Sequence, residues 1–311
     1  MGKMNRSETQ RQSRQMDEDR QELADLMRTS LKNEGVMQVR PDLSFSRFSN
    51  PTDLHHGFYE PCFCVIAQGA KTLTLGGETF RYDPAHYMVC TVGLPMTAQI
   101  VEASTKRPYL GLRLTLDPGV VASIIIESNL DPRGESNARA VDVSVLDSDL
   151  LDATLRLIRL IDKPDDYNAL APLVIREINY RLLTGAQGGR MRHLARFGGQ
   201  ANRMVRAVEM IRGSFDQPLS VADMAHNLGM SSSGFHAHFK AVTSMSPLQF
   251  QKQLRMQEAR RLMLSEDFDA AEAGFKVGYE DASHFNRDYK RHFGAPPMRD
   301  IERMRQTADR P

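Results

Sequence analysis

The 311-residue sequence carries almost no net charge, few cysteines and no long apolar run, and each shortage excludes a class of function. Lys+Arg 40 against Asp+Glu 39 leaves a formal charge of +1, so the global basic excess of a polybasic nucleic-acid binder is missing. Any contact with nucleic acid must therefore be local. No stretch approaches the roughly 18 continuous apolar residues of a membrane span. The opening MGKMNRSETQRQSRQMDEDR has no apolar centre for a secretion signal. A cytoplasmic protein with no membrane partner is expected. The three cysteines are an odd count and too few for a disulfide framework, so reduced thiols are expected. At a prior of about 150 residues per domain the length suggests two domains, and 41% apolar side chains can supply a core for each.

The chain reads as α+β. Residues 1–36 form a polar extension in which Leu23, Leu26, Met27 and Leu31 recur at helical spacing. From Pro41 the pattern changes to short runs broken by turn residues: CFCVIAQG, KTLTL, ETFRY, HYMVCTV, TAQIV and PYLGLRLTL. Evenly spaced strands with no long helix between them predict a cupin-like antiparallel β-barrel with room for a ligand. Helical periodicity follows from Pro118 and recurs over 147–163 and 169–184, giving flanking helices and a domain spanning 37–185. The glycine-rich stretch 186–200 reads as a linker. Residues 201–311 make an all-α second domain.

That second domain contains an internal repeat. SVADMAHNLGMSSSGFHAHFK begins at Ser220, and DAAEAGFKVGYEDASHFNRDYK begins at Asp269. Each copy opens on a helix cap, runs to a turn at Gly229 or Gly278, and resumes in a helix carrying an aromatic pair four apart: Phe235 and Phe239, then Phe285 and Tyr289. Between them, a Ser246 cap and Pro247 start a long connecting helix. This is a helix-turn-helix occurring twice. Lys240, Lys252, Arg255, Lys290 and Arg291 supply the local basic charge that fits DNA phosphates, with the outward faces of the second helices free to approach bases.

These residues resemble the AraC/XylS family of transcriptional regulators. The block from about Asn202 to Met304 is similar to that family's double helix-turn-helix domain. YEPCFCVIAQG, RYDPAHYMV and LAPLVIREINYRLLTG are similar to the barrel-type sensor domain of one subgroup. The resemblance implies a double-stranded DNA promoter site, a small-molecule effector and a homodimer formed through the N-terminal half. It also implies contact with RNA polymerase, activation more often than repression, no cofactor and no enzymatic activity. It places base contacts on Ser232, Ser233, His236 and Ala237 in the first head, and on Ala282, Ser283, Asn286 and Arg287 in the second. Ala237 stands where the family often has arginine, so the first head is expected to lean on His236 and His238. Gly274 stands where alanine is usual, which predicts a less rigid second head.

Cys62 and Cys64, two apart on one strand, face the same side, and Cys90 is expected on a neighbouring strand. Thiol sensing of electrophiles or oxidants competes with three small buried hydrophobes. Lys71 or Arg81 could approach them from other strands. A metal-binding cupin-type enzyme is the alternative for the barrel. His55 and His56 are adjacent and so face opposite sides, Glu60 precedes Pro61 in an apparent loop, and His86 stands alone, so no metal site is expected. A further alternative is a ligand-independent DNA-binding dimer.

Overall fold

The computed structural model describes residues 6–131, 138–195, 200–266 and 268–308. The chain divides into two compact units, Met1–Asn202 and Arg203–Pro311.

The first unit opens with helix α1 (Arg6–Ser30) and continues in nine strands. These are β1 (Gly35–Arg40), β2 (Leu43–Phe48), β3 (His55–Tyr59), β4 (Cys62–Gln68), β5 (Ala70–Leu75), β6 (Glu78–Tyr82), β7 (His86–Cys90), β8 (Leu94–Glu102) and β9 (Tyr109–Thr115). Then come α2 (Pro118–Glu127), β10 (Val141–Val145), α3 (Ser148–Arg159), α4 (Pro164–Thr184) and the short α5 (Gly188–Met191). All pairings are antiparallel. Six strands form one sheet in the order β1-β2-β9-β4-β7-β10, and four form a second in the order β3-β8-β5-β6. No ladder joins the two sheets among the described residues, so the cupin-like arrangement is an open barrel.

Period-two alternation explains the layering. On β4, Phe63 and Val65 point to the helical layer and join a core with Leu112 and Leu114 of β9, Ile124 of α2, Leu155 of α3 and Ile178 of α4. The intervening Cys62 and Cys64 point the other way, toward the second sheet. Three expectations are corrected. Helix α1 is not a mere extension: Leu23, Met27 and Leu31 are buried at 1% or less in that core, and Glu22 accepts two 2.7 Å bonds from Arg159. Strand β10 interrupts the region read as purely helical, because Val141–Val145 completes the sheet edge beside β7. The linker is shorter than 186–200: Met191, Leu194 and Ala195 are in the first unit's core, and Arg190 pairs with Asp142 at 2.8 Å. Of the remainder of that stretch, residues 196–199 lie outside the described residues.

The second unit is helical: α6 (Gln200–Gly213), α7 (Val221–Asn227), α8 (Ser232–Thr243), α9 (Pro247–Ser265), α10 (Ala270–Lys276), α11 (Ala282–Phe293) and α12 (Pro297–Ala308). Local chemistry sets the boundaries. Ser220 caps α7 through the Asp223 N–H, while Ser246 with Gln249 and Asp269 with Glu272 form full capping boxes. The repeated aromatics are core, all four fully buried. Phe235 and Phe239 stack at 5.6 Å with Phe250 of α9 behind them, and Phe285 and Tyr289 repeat the 5.6 Å contact in the second head.

The glycine at 274 has a packing cause that the sequence does not reveal. A Cβ there would lie 2.9 Å from Cγ of Phe285, whose ring is fully buried. The residue lets α10 approach α11 closely, so it tightens the second head where helix propensity alone predicts loosening.

Candidate nucleic-acid interface

Helices α8 and α11 begin at side-chain caps that orient them. Ser231 accepts from the Gly234 N–H at 3.2 Å, and Asp281 accepts from Ser283 and His284 N–H groups at 3.0 Å each. Those two N–H bonds hold the Asp281 carboxyl below the usual carboxylate range, so its charge is directed at the helix N-terminus. With the aromatic stripe turned inward, the opposite faces are open. Ser232, Ser233, His236 and Ala237 are exposed on α8, and Ser283, Asn286 and Arg287 on α11, with Ala282 half-buried beside them. Arg287 has no ion pair among the described residues. Lys240 and Lys290 are exposed at the ends of the same helices.

Two of the other basic residues, Arg255 and Lys252, are already engaged. Arg255, expected on phosphates, directs Nε to the Phe215 carbonyl at 2.6 Å, Nη1 to Gly278 at 2.8 Å and Nη2 to Gln217 at 3.0 Å. It is a brace between the α6–α7 loop and the second turn, which removes its donors from the phosphate-facing set. Lys252 lies 2.6 Å from the buried carboxylate of Asp288, which also accepts from Tyr279 at 3.1 Å. The Lys252 bond keeps the Asp288 carboxyl below its ordinary range although burial opposes it. Arg291 is exposed and 3.9 Å from the same carboxylate. His238 is likewise spoken for: its Nδ1 is 2.7 Å from the Gly234 carbonyl, so His236 is the first head's outward histidine. A cleft of about 590 Å³ opens beside the second head, lined by Lys252, Arg255, His284 and Arg287.

In the first unit, the structure gathers the thiols. Cys62 faces Cys90 across β4 and β7, and its Sγ is 3.8 Å from that of Cys64. All three are free and buried. Burial pushes the Cys90 thiol up, and the Cys62 contact together with burial pushes Cys64 up. Cys62 is shifted down by the Cys64 hydrogen bond and by the charges of Arg113 and Lys71. Of the two cations considered from sequence, Lys71 does reach the thiols, whereas Arg81 pairs with Glu102 on the surface. Arg113 was missed. Its signal lies in the sheet register, which sets it opposite both Cys64 and Ser44.

The histidines do not converge. His56 Nδ1 is 3.4 Å from the Thr97 hydroxyl on the four-stranded sheet, and His86 Nδ1 is 2.8 Å from Asp83 at a turn. Among the described residues, no group of three His, Cys, Asp or Glu side chains is placed to hold a metal ion, His55 and Glu60 included. Nor is any described helix long and apolar enough to cross a membrane.

Comparison with known proteins gives the following. Residues 40–190 match the family described as AraC-type transcriptional regulator N-terminus, and residues 224–303 match the family described as helix-turn-helix domain. The HTH-type transcriptional regulator ArgR of Pseudomonas aeruginosa is 24% identical over 125 residues, 40% of this chain and 38% of ArgR. The chain thus spans well under half the length of that relative. The HTH-type transcriptional activator RhaS of Escherichia fergusonii is 24% identical over 268 residues, 82% of this chain and 88% of RhaS. Among solved structures, an apo ToxT variant from Vibrio cholerae superposes with a TM-score of 0.55 at 9% identity, over 86% of this chain and 98% of ToxT. At that identity the likeness is one of fold.

Proposed function

The chain belongs to the AraC/XylS family of DNA-binding transcriptional regulators, and from that premise we propose that it controls promoters as an effector-responsive cytoplasmic regulator without catalytic activity of its own. The observation that carries the reading is the pair of capped helix-turn-helix units whose outward faces are open. Ser232, Ser233, His236 and Ala237 approach bases from the first head, and Ala282, Ser283, Asn286 and Arg287 from the second. Lys240, Lys290 and Arg291 hold phosphates. Likeness to an activator over most of the chain favours activation, with RNA polymerase as the further partner.

The test is selection of genomic fragments by the full-length protein at about 150 mM salt, with and without reductant. An asymmetric motif with two blocks about ten base pairs apart is expected. No enriched motif would end the regulator reading. A motif whose recovery depends on reductant would assign a sensing role to Cys62, Cys64 and Cys90, a second reading favoured by their convergence; equal recovery in both conditions would leave them as packing. Within the motif, Arg287→Ala should weaken binding by about 1–3 kcal/mol and relax discrimination at one position. Uniform weakening across sequences would make Arg287 a phosphate contact instead.

Dimerisation through α4 belongs to the same proposal. The apolar side chains of α3 are used up inside the unit, whereas α4 leaves Leu170, Leu173 and Tyr180 exposed at 44%, 63% and 44% on one helical face. Leu173→Asp is expected to convert a dimer to a monomer in sedimentation equilibrium with each unit still folded. An unchanged assembly would move the interface elsewhere.

A further inference from the structure

The cleft of about 590 Å³ beside the second head lies within the C-terminal unit, bounded by the first half of α9, the Gly278 turn and the first two turns of α11. Its charged lining balances. Lys252, Arg255 and Arg287 bring three positive charges and Glu280, Asp281 and Asp288 three negative ones, so the formal sum is zero while His284 is neutral. One proton on that ring turns the cleft positive. Histidine is the side chain that ordinarily changes charge between about pH 5 and 8, so His284 decides whether the cleft attracts an anion.

The ring is both fixed and reachable. Its Nε2 lies 3.4 Å from Asp288 Oδ2, and it meets the Tyr279 ring edge-on with centroids 5.4 Å apart. The His284 side chain is nevertheless 60% exposed, against 7% for Asp288. Asp288 already has its counter-charge, because Lys252 lies 2.6 Å from Oδ1 while the Tyr279 hydroxyl donates to Oδ2 at 3.1 Å. A proton on His284 is therefore charge that this carboxylate does not need. Asp281 is engaged by the Ser283 and His284 N–H groups at the start of α11, and Arg255 gives its donors to backbone carbonyls. Arg287 has no carboxylate partner among the described residues, and it stands on the open face of α11 as well as in the cleft, so the cleft borders the base-facing surface. Arg291 is the other nearby charge on α11, 3.9 Å from Asp288, and no titratable side chain of α10 or α12 lines the cleft.

We infer that this cleft seats a phosphate of the DNA backbone beside the groove that α11 enters, with His284 as a phosphate contact that acts when protonated. The inference rests on the reading of α11 as the base-facing helix, and adds to it a contact and the condition that controls it. A phosphodiester offers one negative charge and two acceptor oxygens, which suits a protonated imidazole next to an unpaired guanidinium. With His284 neutral, the balanced lining gives the phosphate no net attraction, so the second head holds DNA more tightly at the acid end of the range.

The experiment titrates the full-length protein with a fragment recovered by genomic selection, at about pH 6 and about pH 8, each over a series of salt concentrations. Affinity is expected to be about five- to tenfold higher at the lower pH. The slope of log affinity against log salt should be steeper there by about 0.9, the signature of one more neutralised phosphate. His284→Gln should match the unsubstituted protein at the higher pH and show neither the gain nor the steeper slope at the lower, whereas His236→Gln on the first head should show both. Neutral methylphosphonate placed at single backbone positions should abolish the gain at one or two of them. A gain that survives at every position and is competed by inorganic phosphate would make the occupant a free anion and overturn the DNA assignment. Equal affinity and slope at both pH values, or a gain that persists in His284→Gln, would overturn the site and leave the DNA-binding reading standing; failure to recover any fragment at either pH would overturn both. Equal weakening of His284→Gln at both pH values would make the ring a packing element against Tyr279 and Asp288 instead. The pH and salt dependence are read on the unsubstituted protein, so a variant that failed to fold would not remove the test.

Discussion

Replacing Arg260 by methionine is expected to lower the stability of the C-terminal unit by about 3–5 kcal/mol, because it strands a fully buried carboxylate. Arg260 Nη2 lies 2.7 Å from Asp300 Oδ2, with the carboxylate side chain at 0% exposure and the guanidinium side chain at 10%. The same Asp300 oxygen accepts from the Tyr289 hydroxyl at 2.9 Å, and its partner oxygen accepts from Arg303 at 3.0 Å. Arg303 is 58% exposed and holds its charge in water, so it replaces little of what Arg260 supplies. The guanidinium also stacks 4.1 Å from the Phe293 ring centroid, adding packing to charge. Removing both ends of the pair, Arg260→Met with Asp300→Asn, should recover much of the loss, since the penalty lies in the unpaired charge. A single-variant loss below about 1 kcal/mol in urea unfolding, or no recovery in the double variant, would show that Arg303 and Tyr289 suffice. Tyr289 sits on α11, so the network fixes the base-facing helix, and second-head DNA contacts should weaken in parallel.

An acid scan gives an independent readout of the same site. Burial, Arg260 and Lys252 hold His292 down to about 4 from an ordinary 6.5. Between these values the unfolded chain takes up a proton that the folded unit refuses, so stability is lost as pH falls from 6.5 toward about 4. In Arg260→Met one of the opposing charges is gone. The window should narrow.

How far the fold was legible depends on how local its causes are. The two heads could be read from residues a few positions apart, because caps at Ser220, Ser246 and Asp269, the turns at Gly229 and Gly278, and aromatic pairs at a spacing of four act within one or two helical turns. The strands from Cys62 to Thr115 were legible for a similar reason, since turn residues separate them. What escaped was set by distant partners. Val141–Val145 is too short to declare itself, and becomes a strand by pairing with β7 some fifty residues earlier in the chain. Helix α1 looked peripheral because the core it completes is built from α3 and β4. Arg255 read as a phosphate contact because its charge is visible in the sequence, while the carbonyls of Phe215, Gln217 and Gly278 that claim it are not. Lys71 and Arg113 are 42 positions apart in separate sheets, and only the facing of those sheets brings both to bear on Cys62 and Cys64.

Equal substitutions at the two turn glycines should have unequal effects, with Gly278→Ala lowering stability by roughly 3–5 kcal/mol and Gly229→Ala by about 1–2 kcal/mol. Both adopt left-handed backbone, φ +63 at Gly229 and +88 at Gly278, so both substitutions meet the strain that a Cβ imposes there. At Gly229 that strain is the whole effect, because a Cβ would meet nothing within 4 Å. At Gly278 the Cβ would fall 1.9 Å from the Asp216 carbonyl oxygen and 2.9 Å from Arg255 Nη2. Backbone cannot yield as a side-chain tip does, so the second turn must move off the α6–α7 loop, and the Arg255 bond to the Gly278 carbonyl goes with it. The two turns are alike in sequence and different in setting: the first is open, and the second is braced against a separate loop. Displacing that brace should tilt α11 and reduce discrimination at bases read by Asn286 and Arg287, whereas Gly229→Ala should leave those positions unchanged. Urea unfolding of both variants, with promoter-fragment affinities measured at fixed salt, decides the matter. Equal stability losses would mean that the loop carrying Asp216 adapts freely, and the second head would then owe its orientation to the Asp300 network alone.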